Sequence, residues 1–451
     1  MENFLNYIKQ HDLDINDETL AEKLDALDDL SHMRKEFNFP QLGDIATEIN
    51  DENRDKVDQE VIYLTGNSLG LQGKAVEREL KVYLDDWKKY AVEGHMKGTH
   101  PFISIDEEIQ SRLASIVGAK PSEVCSMNSL SVNLHILLSN FYKPTKDRYK
   151  IVIEYGAFPS DLYVTESQLR NHGFNPETDL IKIKPKENEY TLTTQEIIDT
   201  LKEHGDSIAV VLLSGVQYFT GQFFDIKTIT KVGHECGAIV GWDLAHAAGN
   251  VQLQLHDWDV DFASWCSYKY LNSGPGCIAG VFVHSRITET FDLATDNRLM
   301  GWFGNKLSHR FHKEKPFVAE TGALGFRCSN PSVADTTALR ASLDIFEKAG
   351  GVSKLSAKSV ILTGYLEYLL RNKLASTNIQ MITPTDPSQR GAQISLLVRE
   401  IKANEIKHKL LNSGVICDVR EPDVIRVAPA PLYNSFTDCH RFIQLLNKAM
   451  M

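Results

Sequence analysis

No stretch of the 451-residue chain approaches the ~20 consecutive apolar residues that a bilayer-spanning helix requires. The N-terminal segment MENFLNYIKQHDLDINDE has neither an apolar core nor an Arg-rich face. That predicts no secretory signal and no mitochondrial presequence. Cysteine is sparse: seven residues, at 125, 236, 266, 277, 328, 417 and 439, odd in number and without a CxxC pair. A disulfide framework and a structural zinc site are therefore not expected, and a reducing, cytoplasmic compartment is. Lys/Arg-rich blocks are also missing. The 48 Lys plus Arg stand against 60 Asp plus Glu, for a net charge of −12. Nucleic acid is a poor partner for such a chain. No internal repeat or low-complexity tract is visible.

What remains is ordinary globular composition, 42% hydrophobic and 24% charged. Wholesale disorder is excluded, and the chain is long enough for several cores. At ~150 residues per domain the length predicts about three domains, or two larger ones. Residues 1–60 are charged and read as helical or irregular. From about 61 onward, short apolar runs alternate with helical stretches. YKIVIEYG (149–156), IAVVLLSGV (208–216), AIVGWDLAH (238–246), DFASWCSYKY (261–270) and IAGVFVH (278–284) read as strands buried on both faces. Between the second and third, Ile226, Ile229 and Val232 stand at helical spacing, and Gly237 suits the end of that helix. This alternation predicts right-handed crossovers and a mainly parallel mixed sheet with helices on both faces. After about 334 the pattern becomes helices followed by short strands. Leu339, Leu343 and Phe346 line one helix face, and 354–372 reads as a longer helix. NIQMIT (378–383), QISLLV (393–398), GVICDV (414–419) and VIRVA (424–428) read as strands of a smaller α+β domain. The expected division is an N-terminal arm (1–65), a large domain (66–334) and a small C-terminal domain (335–451).

Three signals fall at carboxyl ends of expected strands, where open α/β sheets bind ligands. Asp243 opens DLAH directly after AIVGW; alone, it reads as a helix N-cap. Lys269 stands between two tyrosines in SYKYLNSGPG. Burial lowers a lysine's pKa and readies it for Schiff-base chemistry, although a lone lysine more commonly packs its stem and keeps its head wet. Phe158 opens FPSD after the strand ending at Tyr155, and reads as a stacking platform or as plain core. Taken together, an aspartate and a lysine at neighbouring strand ends suit pyridoxal phosphate (PLP). The lysine holds its aldehyde and moves protons, while the carboxylate keeps the ring nitrogen protonated.

GNSLGL (66–71), MNSLSVNLH (127–135), FPSD (158–161), SGVQYFTGQ (214–222) and DLAHAAGNVQLQLHDWDVDFASWCSYKYLN (243–272) extend this pattern. So do GWFG (301–304), GFRCSNP (325–331), TGYLEYL (363–369), ITP with RGAQ (382–384, 390–393) and IRVAPAPLYNSF (425–436). From about residue 60 to the end the chain resembles the kynureninase family. The resemblance implies a PLP-dependent homodimer of the aspartate-aminotransferase fold. It implies cleavage of the Cβ–Cγ bond of L-kynurenine or 3-hydroxy-L-kynurenine, giving anthranilate or 3-hydroxyanthranilate plus L-alanine. That reaction belongs to tryptophan catabolism and de novo NAD biosynthesis. Lys269 would anchor the cofactor, Asp243 would face its ring nitrogen, and His246 would lie beside it. Phe158 would stack on the ring, with Pro159, Ser160 and Asp161 completing that wall. Ser214 would bond near the ring oxygen. Leu130 and Ser131 would meet the phosphate at a helix N-terminus. Tyr268 would bond the phosphate and is the candidate base for the attacking water. Trp302 and Asn330 match cofactor-contacting positions that reach across a dimer interface. Arg426 would clamp the substrate carboxylate with its planar fork, and His95 and Asn330 would lie near the substrate ring. No metal ligand set is expected.

Two other readings remain open at this stage. A cysteine-desulfurase-like PLP lyase needs a nucleophilic thiol, and Cys328 is the one cysteine within a candidate site segment. A non-enzymatic protein on the same fold would be expected to lose Lys269 or Asp243, and both are present.

Overall fold

The apolar runs of the middle third fold into one twisted sheet. The structure is a computed structural model, and it describes residues 1–49, 51–289 and 298–451. Among these residues the strands are β1 (Ile62–Tyr63), β2 (Val124–Ser126), β3 (Lys150–Glu154), β4 (Leu180–Ile183), β5 (Ile208–Ser214), β6 (Ile239–Asp243), β7 (Phe262–Trp265) and β8 (Gly280–Val283). β9 (Ile379–Met381), β10 (Ile394–Val398), β11 (Val415–Ile416), β12 (Asp418–Arg420) and β13 (Val424–Val427) follow. The large sheet has the order β2-β8-β7-β6-β5-β3-β4. Only β8 runs against its neighbours. This is the mainly parallel mixed α/β sheet expected.

Each central strand is buried on both faces, and alternate residues enter two different cores. Val211 and Leu213 of β5 join Trp242 of β6 and Trp265 of β7 on one side. Val210 and Leu212 join Ile151, Ile153 and Phe262 on the other, where Phe141 stacks on Phe262 at 4.8 Å. A period of two with apolar residues on both sides is what a helix-covered sheet requires. Each such side chain contributes roughly 1.5–3 kcal/mol on burial. The crossover helix between β5 and β6 spans Ile226–Glu235. Gly237 lies just beyond it at φ +76°, the left-handed conformation that closes a helix without a Cβ clash.

The C-terminal strands form a four-stranded antiparallel sheet, β12-β13-β10-β9. Helices Val333–Lys348 and Gly351–Asn372 precede it. GVICDV differs from the single strand expected. It divides at Cys417 into β11, which pairs in parallel with β1, and β12, which joins the small sheet. The first helices of the chain pack on this C-terminal unit: Phe4, Ile8, Leu20 and Leu24 share a core with Leu362, Leu366, Phe442 and Leu446. The N-terminal amino group pairs with Glu367 at 3.2 Å, and Arg34 with Asp438 at 3.0 Å. The charge of this segment is thus partly turned inward, against the C-terminal helices.

Candidate active site

Parallel pairing sets Ser214, the last residue of β5, beside Asp243, the last of β6, and Asp243 beside Ser264 of β7. A cavity opens at this end of the sheet. Its walls are Ser129, Leu130, Ser131, Phe158, Ser160, Asp161, Ser214, Val216, Tyr218, Asp243, Ala245, His246, Tyr268 and Lys269. Ten of the residues singled out in the sequence therefore meet in one place, although they span 130 to 269.

Lys269 is held by a turn rather than a strand. The run DFASWCSYKY stays extended only through Trp265. The chain then bends, because Ser267 Oγ donates to the Ile278 carbonyl and Ser273 Oγ donates to Ser267 Oγ. GNSLGL packs against this turn. The Gly70 N–H donates to the Tyr268 carbonyl at 2.8 Å. A Cβ on Gly70 would lie 2.4 Å from the Lys269 carbonyl oxygen and 2.2 Å from Asn272 Oδ1, so no other residue fits there. Lys269 Nζ lies 5.7 Å from the Phe158 ring centre, and Tyr218 meets Phe158 edge-on at 5.1 Å.

Two carboxyl groups share the floor. Burial raises both Asp161 and Asp243. Asp161 is driven well above the usual range by burial and by the Asp243 charge. Asp161 is thus the one driven further toward its neutral form, while its hydrogen bond and the Lys269 charge work against the rise at Asp243. The Ala245 N–H donates to Asp243 Oδ1 at 2.7 Å. His246 is buried and neutral, its pKa pushed well down by burial, then by Lys269 and Arg426. Its Nδ1 has no hydrogen-bond partner among the described residues. Burial, then the neighbouring Cys266, raises the Tyr268 phenol.

The cavity fits PLP on these observations. The helix Leu130–Phe141 starts on its wall, offering free N–H groups and the positive end of a dipole to a phosphate. An ionised aspartate suits a pyridinium nitrogen, and the orphaned His246 nitrogen asks for a partner.

Five of the expected residues are not on this wall. Pro159 occupies the exposed first turn of the helix Pro159–Asn171. His95, Trp302 and Asn330 are exposed in the single chain. Trp302 donates through Nε1 to the Arg310 carbonyl at 2.7 Å. Arg426 is 1% exposed and lies next to the cavity, since its Nη1 donates to the carbonyl of Tyr218 at 2.7 Å. Its Nε–Nη2 edge is already filled by Asp418, which also pairs with Arg420 at 3.1 Å. Asp418, Tyr218 and Glu154 were not singled out in the sequence. Asp418 had a readable signal: it faces Arg426 across the β12–β13 hairpin.

Fold and site together define a PLP-dependent enzyme of the class-V aminotransferase fold. Among solved structures, the chain resembles the lyase C-DES with glycine covalently linked to its PLP cofactor. That match has a TM-score of 0.73 and 15% identity, covering 86% of this chain and 97% of that one. A cysteine desulfurase from Thermococcus onnurineus matches with a TM-score of 0.69 and 16% identity, covering 90% and 98%. At such identities the likeness is one of fold alone. Sequence is more specific. A kynureninase from Dictyostelium discoideum is 69% identical over 451 residues, 100% of both chains. One from Mus musculus is 47% identical, covering 97% of this chain and 94% of its own. A family model described as the kynureninase C-terminal domain matches residues 355–446. The chain belongs to the kynureninase family. The desulfurase reading is not favoured. Burial raises the Cys328 thiol, the opposite of what a nucleophilic cysteine requires.

Proposed function

We propose that the protein hydrolyses the Cβ–Cγ bond of L-kynurenine, 3-hydroxy-L-kynurenine or both, releasing anthranilate or 3-hydroxyanthranilate and L-alanine. The observation that carries this reading is the convergence of Lys269, Asp243, Phe158 and Ser214 on one cavity in a chain of this family. Comparing kcat/KM for the two substrates tests it; turnover of neither rejects it.

Bound PLP supplies an electron sink for a carbanion beside the substrate amino group. The protein's own groups orient and exchange protons. Lys269 would hold the cofactor covalently and, once freed by the substrate amine, would carry the α-proton. Asp243, hydrogen-bonded to Asp161, would hold a proton on the cofactor's ring nitrogen. Phe158 would stack on the ring, and the N-terminus of Leu130–Phe141 with Ser131 would receive the phosphate. Burial raises the Tyr268 phenol, and we read Tyr268 as the group that would bond the phosphate and relay the proton of the attacking water.

Arg426 receives the substrate carboxylate on the hydrogens that Asp418 and Tyr218 leave free. Asp418 bridges two arginines, so the cluster keeps one net positive charge inside an acidic protein. Arg426→Lys keeps that charge but loses the fork. We expect KM to rise about 10- to 100-fold with kcat little changed. An unchanged KM in steady-state assays removes Arg426 from this role.

We read the working unit as a homodimer. Leu299, Met300, Trp302 and Phe311 are exposed apolar side chains near Asn330, and Val92 and Met96 flank His95. A second copy covering these patches would bring His95, Trp302 and Asn330 to its neighbour's cavity. Lys269→Ala and Asn330→Ala subunits, each inactive alone, should then regain about a quarter of wild-type activity on random mixing, because only one site of each hybrid is intact. No recovery after verified subunit exchange would show that each chain completes its own site. The division into 1–65, 66–334 and 335–451 is likewise a proposal. It is supported by the separate antiparallel sheet, while the packing of Phe4 and Leu24 on Leu366 and Leu446 ties the arm to the small domain. A cytoplasmic location rests on the cysteine pattern. Among the described residues no helix is long and apolar enough to cross a membrane.

A further inference from the structure

Glu154 is the last residue of β3 and is 2% exposed. Its Oε1 lies in hydrogen-bond contact with Ser214 Oγ, and its Oε2 accepts the Ser214 backbone N–H at 3.3 Å. Among the described residues no cation pairs with it. On the cavity side the charged groups are Asp161, Asp243 and Lys269. On the other side Glu154 borders a groove whose charged residues are Lys184, Glu189 and Glu421, and Lys184 sits over the Tyr155 ring instead.

We propose that Glu154 is a positioning residue for the cofactor: as a neutral acid it donates to Ser214 Oγ and turns the Ser214 hydroxyl hydrogen into the cavity. There it is available to the ring oxygen of PLP. The proposal rests on the reading of this cavity as the PLP site.

The argument is one of hydrogen-bond direction. A hydroxyl has one hydrogen and two lone pairs. If Glu154 were a carboxylate, Ser214 would spend that hydrogen on it and show only lone pairs to the cavity. An anionic ring oxygen would then meet repulsion. A carboxylic acid has one donor and one acceptor, so it can keep both contacts with Ser214 and still leave the Ser214 hydrogen free for the cavity. Charge favours the same form. Asp243 already faces the lysine of the cavity wall, so a second anion beside it has no partner. Burial pushes the Glu154 carboxyl upward, and the Asp243 charge adds to it.

Glutamine reproduces the neutral acid: its amide N–H donates to Ser214 Oγ and its oxygen accepts the Ser214 N–H. PLP would be titrated into apoprotein, and the pH midpoint of the bound cofactor's visible band recorded. E154Q should keep both the Kd and the midpoint close to wild type. E154L should weaken PLP binding about tenfold and move the midpoint up by about one unit, because the ring oxygen loses a donor. In an S214A background E154L should add nothing. E154Q as damaging as E154L overturns the proposal, and so does an E154L effect that persists in full without the Ser214 hydroxyl. A wild-type protein that binds PLP normally while E154L changes neither reading overturns it alone. A wild type that takes up no PLP overturns the cofactor reading with it.

Discussion

Lys269→Ala should abolish anthranilate release and the visible absorption of the bound cofactor. The loss in kcat should be at least about 1,000-fold, because one amine is both the covalent anchor and the proton carrier at the substrate α-carbon. The position admits no substitute. The turn that presents Lys269 is fixed by Ser267, Ser273 and the backbone of Gly70, and among the described residues Lys269 is the only lysine on the cavity wall. Because the side chain is partly exposed and makes no ion pair among the described residues, its removal should leave folding intact. PLP added to this variant should bind without the covalent band. Retention of more than a few per cent of wild-type turnover would show that another group moves the proton.

Asp243→Ala should be nearly as damaging, with kcat lower by about 100- to 1,000-fold or more. A ring nitrogen without an anionic partner loses its proton and drains a carbanion poorly. Here the protein must sustain a buried carboxylate against desolvation. It does so with the Ala245 N–H, the Asp161 proton and Lys269. Asp243→Asn keeps the shape and removes the charge, so it should fall with Asp243→Ala rather than with wild type. Single-turnover measurement of α-proton exchange separates this effect from loss of cofactor. Normal exchange in Asp243→Asn would contradict the assignment.

The carboxyl ends of β3, β5 and β6 were legible because each strand is a short apolar run closed by a polar residue. Asp243 stood out as a charged side chain at one of those ends. Glu154 closes β3 in the same way, yet its partner Ser214 lies sixty residues away, and strand order alone brings them together. Nothing in the local sequence separates it from a solvent-facing glutamate. The turn at Lys269 was hidden for a related reason. Its serine and glycine contacts come from Ile278 and Gly70, so the aromatic run read as a longer strand. The helix Lys74–Tyr90 was missed because of its strongly charged sequence. The resemblance points to Arg426 as the clamp for the substrate carboxylate, but its Asp418 partner changes its meaning. A lone arginine would be a clamp with its fork free. A paired one is a held clamp, with only part of its fork available to substrate.

The most direct test of the account is product stoichiometry in the PLP-loaded protein. Given L-kynurenine, it should release anthranilate, read by fluorescence, and L-alanine in equal amounts, and given L-cysteine it should release no sulfide. Sulfide from cysteine without anthranilate from kynurenine would contradict the account.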